Sequence, residues 1–162
     1  MSRIMQPSRT PRGIESIRGM AYTGTIYRGG VLIYSGANVA AAGVNPTAIV
    51  GVALQASDTN PGYAAANNPV TITGRSAVIS VAVADRTTVY SATLTNGSST
   101  RIAPVAADVG TQVGLTEYSN VWTVDKGKTA ALARVQIVGY DTGGLTNLVF
   151  FKFLESAISP NA

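Results

Sequence analysis

The amino-acid sequence predicts an all-β protein, a single β-sandwich or barrel with an extended N-terminal arm. About nine or ten short runs rich in Val, Ile, Thr and Tyr alternate with clusters of Gly, Pro, Asn and Ser, which is the pattern of strands joined by turns. Almost no stretch has helical periodicity. With 162 residues and no internal repeat, the chain fits one domain. We therefore expect an arm at residues 1–20, an all-β domain at 21–155 and a small polar tail at 156–162.

Residues 77–94 are the stretch around which the other elements are organised. They are dense in β-branched residues, which favour strands. Apolar side chains fall on both faces of the first half, and a strand of that kind is usually covered by protein on both sides. Asp85-Arg86 interrupts the run, and residues 87–94 resume it with more hydroxyl groups. The pattern predicts a buried central strand, a polar break and a half-exposed second strand.

Two elements precede this stretch. Residues 22–27 and 31–34 alternate like strands, and Gly29-Gly30 between them supplies the positive φ of a tight turn, so we expect a hairpin. Residues 48–54 predict another apolar strand, in which Gly51 indicates a bulge or a close backbone contact.

The longest predicted loop covers residues 57–69. Loops of this length are uncommon unless they carry function, so Asp58, Asn60 and Tyr63 are candidate contacts with a partner. A plain surface excursion is the alternative interpretation. The alternating residues 70–73 lead from it into the central stretch.

Short elements follow after residue 95. Single helical turns are expected within 106–110 and 126–133, a hairpin over 111–116 and 121–124, and a strand over 134–138. The last predicted strand, 145–154, contains all three phenylalanines of the chain. Because these point to both faces, the strand is either central or covered by a partner chain.

The composition restricts the chemistry. The chain has no cysteine and no histidine, so it has no disulfide, no imidazole base and no zinc site built from these residues. Gly127-Lys128-Thr129 lacks the upstream glycine of a phosphate-binding loop, and Asp141-Thr142-Gly143 suits a turn better than a protease triplet. We expect no enzyme, no cofactor and no metal site, with a hydrolase built from converging carboxylates as a remaining alternative. No apolar run is long enough to span a membrane, and no secretory signal is evident.

The net charge is concentrated at the N-terminus. Residues 1–28 contain five arginines and one glutamate, which gives +4, whereas residues 29–162 contain seven basic and seven acidic residues. Arg3, Arg9, Arg12 and Arg18 lie in a Pro- and Gly-containing segment that predicts either an extended arm, of up to about 65 Å, or a disordered basic tail. No aromatic residue precedes Tyr22 to stack on bases, so an acidic protein surface suits this segment as well as nucleic acid does. Only 12% of all residues are charged, which indicates that much of the surface is covered by something else.

Together these features resemble the head decoration, or cement, proteins of tailed bacteriophages. The resemblance spans roughly residues 22–153 and lies in the order and composition of the elements. It comprises a basic arm, a Tyr-rich strand with Gly29-Gly30, the segments 37–40 and 50–54, and the aromatic final strand 149–153. It implies either a compact fold like the lambda-type decoration protein, which forms trimers, or a jelly-roll-like sandwich, which forms dimers.

The resemblance also implies a structural function. Such proteins bind the outside of the expanded icosahedral shell and brace neighbouring copies of the major capsid protein. The implied partners are therefore the major capsid protein and further copies of this chain, with no direct role for nucleic acid or membrane. The implied location is the outer surface of the virion, after synthesis in the host cytoplasm. The four arginines of the arm would contact the capsid. The alternative is a host- or glycan-binding β-sandwich module, in which Tyr63, Tyr118 and Trp122 would share one groove.

Overall fold

The computed structural model describes residues 5–9, 17–57, 78–141 and 147–160, with only the backbone given for 6–9. The described part is all-β, as the sequence predicts, and its strands form two sheets. The strands are β1 (Gln6–Arg9), β2 (Ile17–Ala21), β3 (Val31–Ser35), β4 (Asn38–Ala41), β5 (Ile49–Ala53), β6 (Val78–Val83), β7 (Val89–Thr95), β8 (Gln112–Tyr118), β9 (Val121–Asp125), β10 (Val135–Tyr140) and β11 (Leu148–Phe153).

The first sheet has the order β2-β6-β5-β3-β4 and curls until its two edges approach each other. Tyr22, directly after β2, makes a parallel bridge to Val39 of β4, and the Thr23 N–H donates to the Val39 carbonyl at 2.9 Å. The curl encloses a small apolar core formed by Ile26, Leu32, Val39, Val50, Ala53, Ile79 and Val81. This sheet is therefore nearly a closed barrel.

The second sheet has the order β1-β7-β11-β10-β8-β9, and a parallel pairing of β9 with β7 closes five of these strands into a ring. β7 pairs with β11 along one edge, while β1 and β9 share its other edge. The main core holds side chains from this ring, including Tyr90, Phe151 and Ile137, together with Val52 and Ala82 of the first sheet. The two sheets are thus joined by one continuous apolar core.

A single glycine allows the first sheet to close around its core. An added Cβ at Gly51 would lie 2.2 Å from the Ala82 carbonyl oxygen on the neighbouring strand β6. The pairing of β3 with β5 also shifts register between Leu32 and Ile33, opposite this position. The predicted bulge or close backbone contact at Gly51 is confirmed in both respects.

The central stretch is confirmed in its first half and corrected in its second. Along β6, Ile79 and Val81 face the small core and Ala82 faces the main core, so both faces are apolar as predicted. The prediction that the following strand is half exposed is wrong, because every residue of β7 is buried. The hydroxyls that suggested exposure lie inside the protein, where the Thr95 and Thr123 hydroxyl oxygens are 3.1 Å apart.

The predicted hairpin at Gly29-Gly30 is wrong. Only Tyr22 of the segment 22–27 takes part in a strand ladder, as an isolated bridge. The Gly29 N–H instead donates to the Ala53 carbonyl at 2.7 Å, so this turn packs on β5. β3 forms its hairpin with β4, across a turn in which Gly36 has a φ of 63°. Both turns contain glycine, and the local sequence does not distinguish which strands each one connects.

The later elements agree with the sequence. β8 and β9 form the predicted hairpin across Ser119 and Asn120, whose φ values of 50° and 64° fit a two-residue type I′ turn. Short 3-10 helices occupy Ala106–Asp108 and Ala130–Leu132, within the predicted helical turns. β11 lies between β7 and β10, which confirms the central position, and its Phe151 and Phe153 rings pack with Tyr90 at centroid distances of 5.8 and 4.9 Å.

Described residues near both ends of the chain pack on the fold. Met5 is 1% exposed in the main core, and β2 runs across the expected boundary between residues 20 and 21. At the other end, Ile158 forms a parallel bridge to Ile49, and the Ser159 N–H donates to the Ile49 carbonyl at 2.8 Å. The segments predicted as arm and tail thus include residues that the two sheets hold in place.

Candidate functional site

The N-terminal strands lie antiparallel to the central stretch, one in each sheet. β1 pairs with β7 through Gln6, Pro7 and Arg9, and β2 pairs with β6 along its whole length. Proline has no N–H to donate and the ladder shifts register after Pro7, so β1 is the weaker of the two pairings. The N-terminal segment therefore has strands along both sheets.

Of the four arginines predicted to bind the capsid, Arg18 is the one whose side chain the structure describes. It is exposed on β2, opposite Val81 of β6. Arg9 ends β1 opposite Val89, and its side chain lies outside the described part, as do residues Arg3 and Arg12. The predicted loop residues Asp58, Asn60 and Tyr63 also lie outside the described residues.

A second exposed arginine of the basic segment, Arg28, lies in the turn that packs on β5, and the sequence pattern does not single it out. Arg18, Val81 and Ala53 form one row across β2, β6 and β5, and the turn containing Arg28 is hydrogen-bonded to Ala53 through Gly29. Arg28 is exposed. In the sequence, Arg28 could have been found from its position beside the Gly29-Gly30 turn. The hairpin predicted there was wrong, so the sequence did not show that this turn packs on β5.

Exposed apolar side chains accompany these arginines on the opposite face of β2 and β6. Ile17 is 42% exposed and Val78 is 45% exposed. The register pairs Ile17 with Ala82 and Ala21 with Val78, so both side chains project from the same face. The alternation in the sequence predicts that Val78 lies on a covered face. This prediction is wrong at the Val78 end of β6. An edge strand with an exposed cation on one face and exposed aliphatic groups on the other suits contact with another protein.

The buried carboxylate of Asp125 serves the fold. Asp125 is 1% exposed; its Oδ1 accepts the N–H groups of Gly97 at 2.7 Å and Gly127 at 2.9 Å, and its Oδ2 accepts the Thr116 hydroxyl at 2.7 Å. Burial by itself would raise the pKa of this carboxyl. The hydrogen bonds from Gly97, Thr116 and Gly127, together with the charge of Lys128, outweigh burial and hold the pKa below its ordinary value. Asp125 thus joins the turn after β7 to β8 and β9.

Asp108 and Asp85 hold two other turns. Asp108 accepts the Val105 N–H at 2.8 Å and lies 2.5 Å from the Lys126 ammonium. Asp85 accepts four hydrogen bonds from the N–H and hydroxyl groups of Thr87 and Thr88, at 2.6 to 2.8 Å. Burial would raise the pKa of Asp85, but these bonds lower it below the ordinary value. Asp85 therefore fixes the polar break where the chain crosses from one sheet to the other.

A cavity of about 320 Å³ opens beside this crossover. Asp85, Arg86 and Glu155 supply its charged lining, and Ile158 and Pro160 its apolar lining. The Arg86 guanidinium and the Glu155 carboxylate pair at 3.2 Å and are both well exposed, so this ion pair adds little to stability. Among the described residues, no group of three or more Asp, Glu, His or Cys side chains is placed to hold a metal ion.

The structure separates two aromatic residues of the alternative glycan-binding groove. Trp122 pairs with Glu117 across the β8–β9 hairpin and is 4% exposed in the main core, whereas Tyr118 pairs with Val121. Adjacent pairs of a ladder project to opposite faces, so Tyr118 and Trp122 lie on different sides of the hairpin. Trp122 instead borders a cavity of about 130 Å³, together with Val44 and Lys128.

No helix in the described ranges is both long and apolar enough to cross a membrane. The described fold is a β-protein in which Arg18 is exposed on β2, the first strand of the five-stranded sheet. No protein-family model, no curated protein and no solved structure matches this chain.

Proposed function

We propose that this protein is a structural virion component that binds the outer surface of an icosahedral phage capsid. In this function it bridges neighbouring major capsid proteins and stabilises the expanded shell. It acts without catalysis, and it assembles with itself as a dimer or trimer.

The proposal rests mainly on the charge of the basic segment, residues 1–28, and on the exposure of its described arginines. Residues 1–28 hold the entire net charge of +4, and the described arginines of that segment, Arg18 and Arg28, are exposed around β2 and β5. Ile17 and Val78, on the opposite face of β2 and β6, add exposed apolar area. An edge strand that presents a cation on one face and aliphatic groups on the other suits a partner surface with both acidic and apolar patches.

The hydrogen bonds accepted by three carboxylates also support a structural function. Asp85, Asp108 and Asp125 each bind backbone N–H groups of nearby turns. Charge-assisted bonds of this kind favour a rigid scaffold. A rigid unit is suited to bracing a shell, because many copies that each make modest contacts add up to strong attachment.

The test is whether the chain binds expanded shells assembled from the major capsid protein of the phage that encodes it. We expect the purified chain to co-sediment with empty expanded shells and to raise the temperature at which they fall apart. The variant Arg18→Glu should bind at least about tenfold more weakly, because it reverses a charge at the contact.

The matched control is Arg101→Glu, which reverses an exposed arginine outside the basic segment. It should bind like the unmodified chain, and light scattering should give the same oligomer for both variants. Absence of co-sedimentation for the unmodified chain would refute the capsid function. Equal loss of binding in both variants would refute the assignment of the contact to β2.

A further inference from the structure

The turn after β7 contains the one Asn-Gly pair of the sequence, Asn96-Gly97. Both residues are exposed, and Gly97 has a φ of 71°, a conformation that residues with a side chain rarely adopt. Asn-Gly is the dipeptide most prone to spontaneous deamidation, since glycine leaves its own backbone nitrogen unhindered.

The reaction is intramolecular. The Gly97 nitrogen bonds to Cγ of Asn96, the Cγ–Nδ2 bond breaks, and ammonia leaves with the proton from the Gly97 N–H. Water then opens the resulting succinimide at either of its two C–N bonds. The products are aspartate, or isoaspartate with one additional methylene in the main chain. No co-reactant other than water is required.

In the folded protein, the nitrogen that would attack is engaged elsewhere. The Gly97 N–H donates to Asp125 Oδ1 at 2.7 Å, and that carboxylate is anchored by Gly127 and Thr116. The two glycines are packed closely, because a Cβ at Gly127 would lie 2.9 Å from the Gly97 nitrogen. The proton must leave this bond and the nitrogen must turn toward Asn96 before the ring can form.

We propose that Asn96-Gly97 is a deamidation site that the Asp125 carboxylate keeps closed in the folded protein. Opening of this turn releases the nitrogen and permits the reaction. The product keeps the turn open, because a new carboxylate at position 96 repels the nearby Asp125 and an isoaspartate lengthens the turn after β7. Deamidation thus makes a transient opening of this turn permanent. It would occur whether or not the protein binds a capsid.

The experiment measures deamidation at position 96 by peptide mass spectrometry during incubation at neutral pH. For the unmodified chain, we expect the folded protein to react at least about tenfold more slowly than the same protein in urea, as the loss of a hydrogen bond to a charged group implies. Asp125→Ala should raise the folded-state rate by a similar factor. Glu117→Ala should leave it nearly unchanged, since this control removes an exposed carboxylate of β8 and keeps the bond between Gly97 and Asp125.

Circular dichroism of each variant shows whether it is folded. If Asp125→Ala does not fold, the comparison of the folded and urea-unfolded unmodified chain decides the question. Equal rates in those two states would overturn the proposal. A slower reaction in folded Asp125→Ala would also overturn it, because Asp125 would then be acting as a base that promotes the reaction.

Discussion

Replacing Met5 with alanine tests whether the N-terminal segment is part of the fold. Met5 is 1% exposed and packs in the main core, although it precedes the weak strand β1. If the segment were only an arm, this side chain would contribute nothing to stability. The structure instead predicts that Met5→Ala lowers the free energy of unfolding while leaving the two sheets intact.

The expected loss of stability depends on how deeply Met5 is buried, and it cannot exceed the free energy with which β1 docks. Burying a methionine side chain contributes about 1.5–3 kcal/mol, and truncating a core methionine to alanine costs about 2–5 kcal/mol when the cavity cannot collapse. Here the cost is limited, because β1 detaches once the loss exceeds its own docking free energy. With three ladder pairs, one of them at Pro7, that limit is low. We expect a loss of about 2–3 kcal/mol.

Equilibrium unfolding in urea provides the assay. With a slope of about 1–3 kcal/mol per molar, a loss of about 2–3 kcal/mol lowers the midpoint by roughly 0.7–3 M. Met20→Ala is the matched control, because Met20 is only partly buried, on β2 against the small core, and should lose less than about 1.5 kcal/mol. A loss below about 0.5 kcal/mol for Met5→Ala, or one equal to that of Met20→Ala, would refute the anchoring of the N-terminus.

Two further stability predictions concern Gly51 and the carboxylates. Gly51→Ala should destabilise the protein strongly in the same assay, because its Cβ would lie 2.2 Å from the Ala82 carbonyl; an unchanged midpoint would contradict the close packing. Asp85 and Asp125 have pKa values below the ordinary 3.8, so they stabilise the fold above that pH and lose this contribution as pH falls through their folded-state values. The free energy of unfolding should be lower at pH 2 than at pH 5, and less steeply so in Asp125→Asn; a pH-independent stability would contradict this.

The sequence by itself determined the fold class and most strand positions. Runs of β-branched residues separated by glycine, asparagine and proline fix where strands begin and end, since these preferences act over a few neighbouring residues. The two apolar faces of β6 and the hairpin of β8 with β9 were predictable in this way. The phenylalanines of β11 predicted a strand that is either central or covered by a partner chain, and the pairing with β7 and β10 makes it central. The lack of histidine and cysteine likewise excludes an imidazole base and a disulfide whatever the strand order, because these groups depend on residue type alone.

Tertiary structure alone decided which strands pair and which polar groups are buried. The turn at Gly29 packs on β5. The hydroxyl-bearing strand β7 is buried, with Tyr90, Ala92 and Leu94 in the main core and paired strands along both of its edges. Met5 enters the main core, and Arg18 comes to the rim of the small barrel, through pairings with strands roughly sixty to eighty residues further along the chain. Such pairings depend on contacts between distant segments, which local residue preferences do not specify.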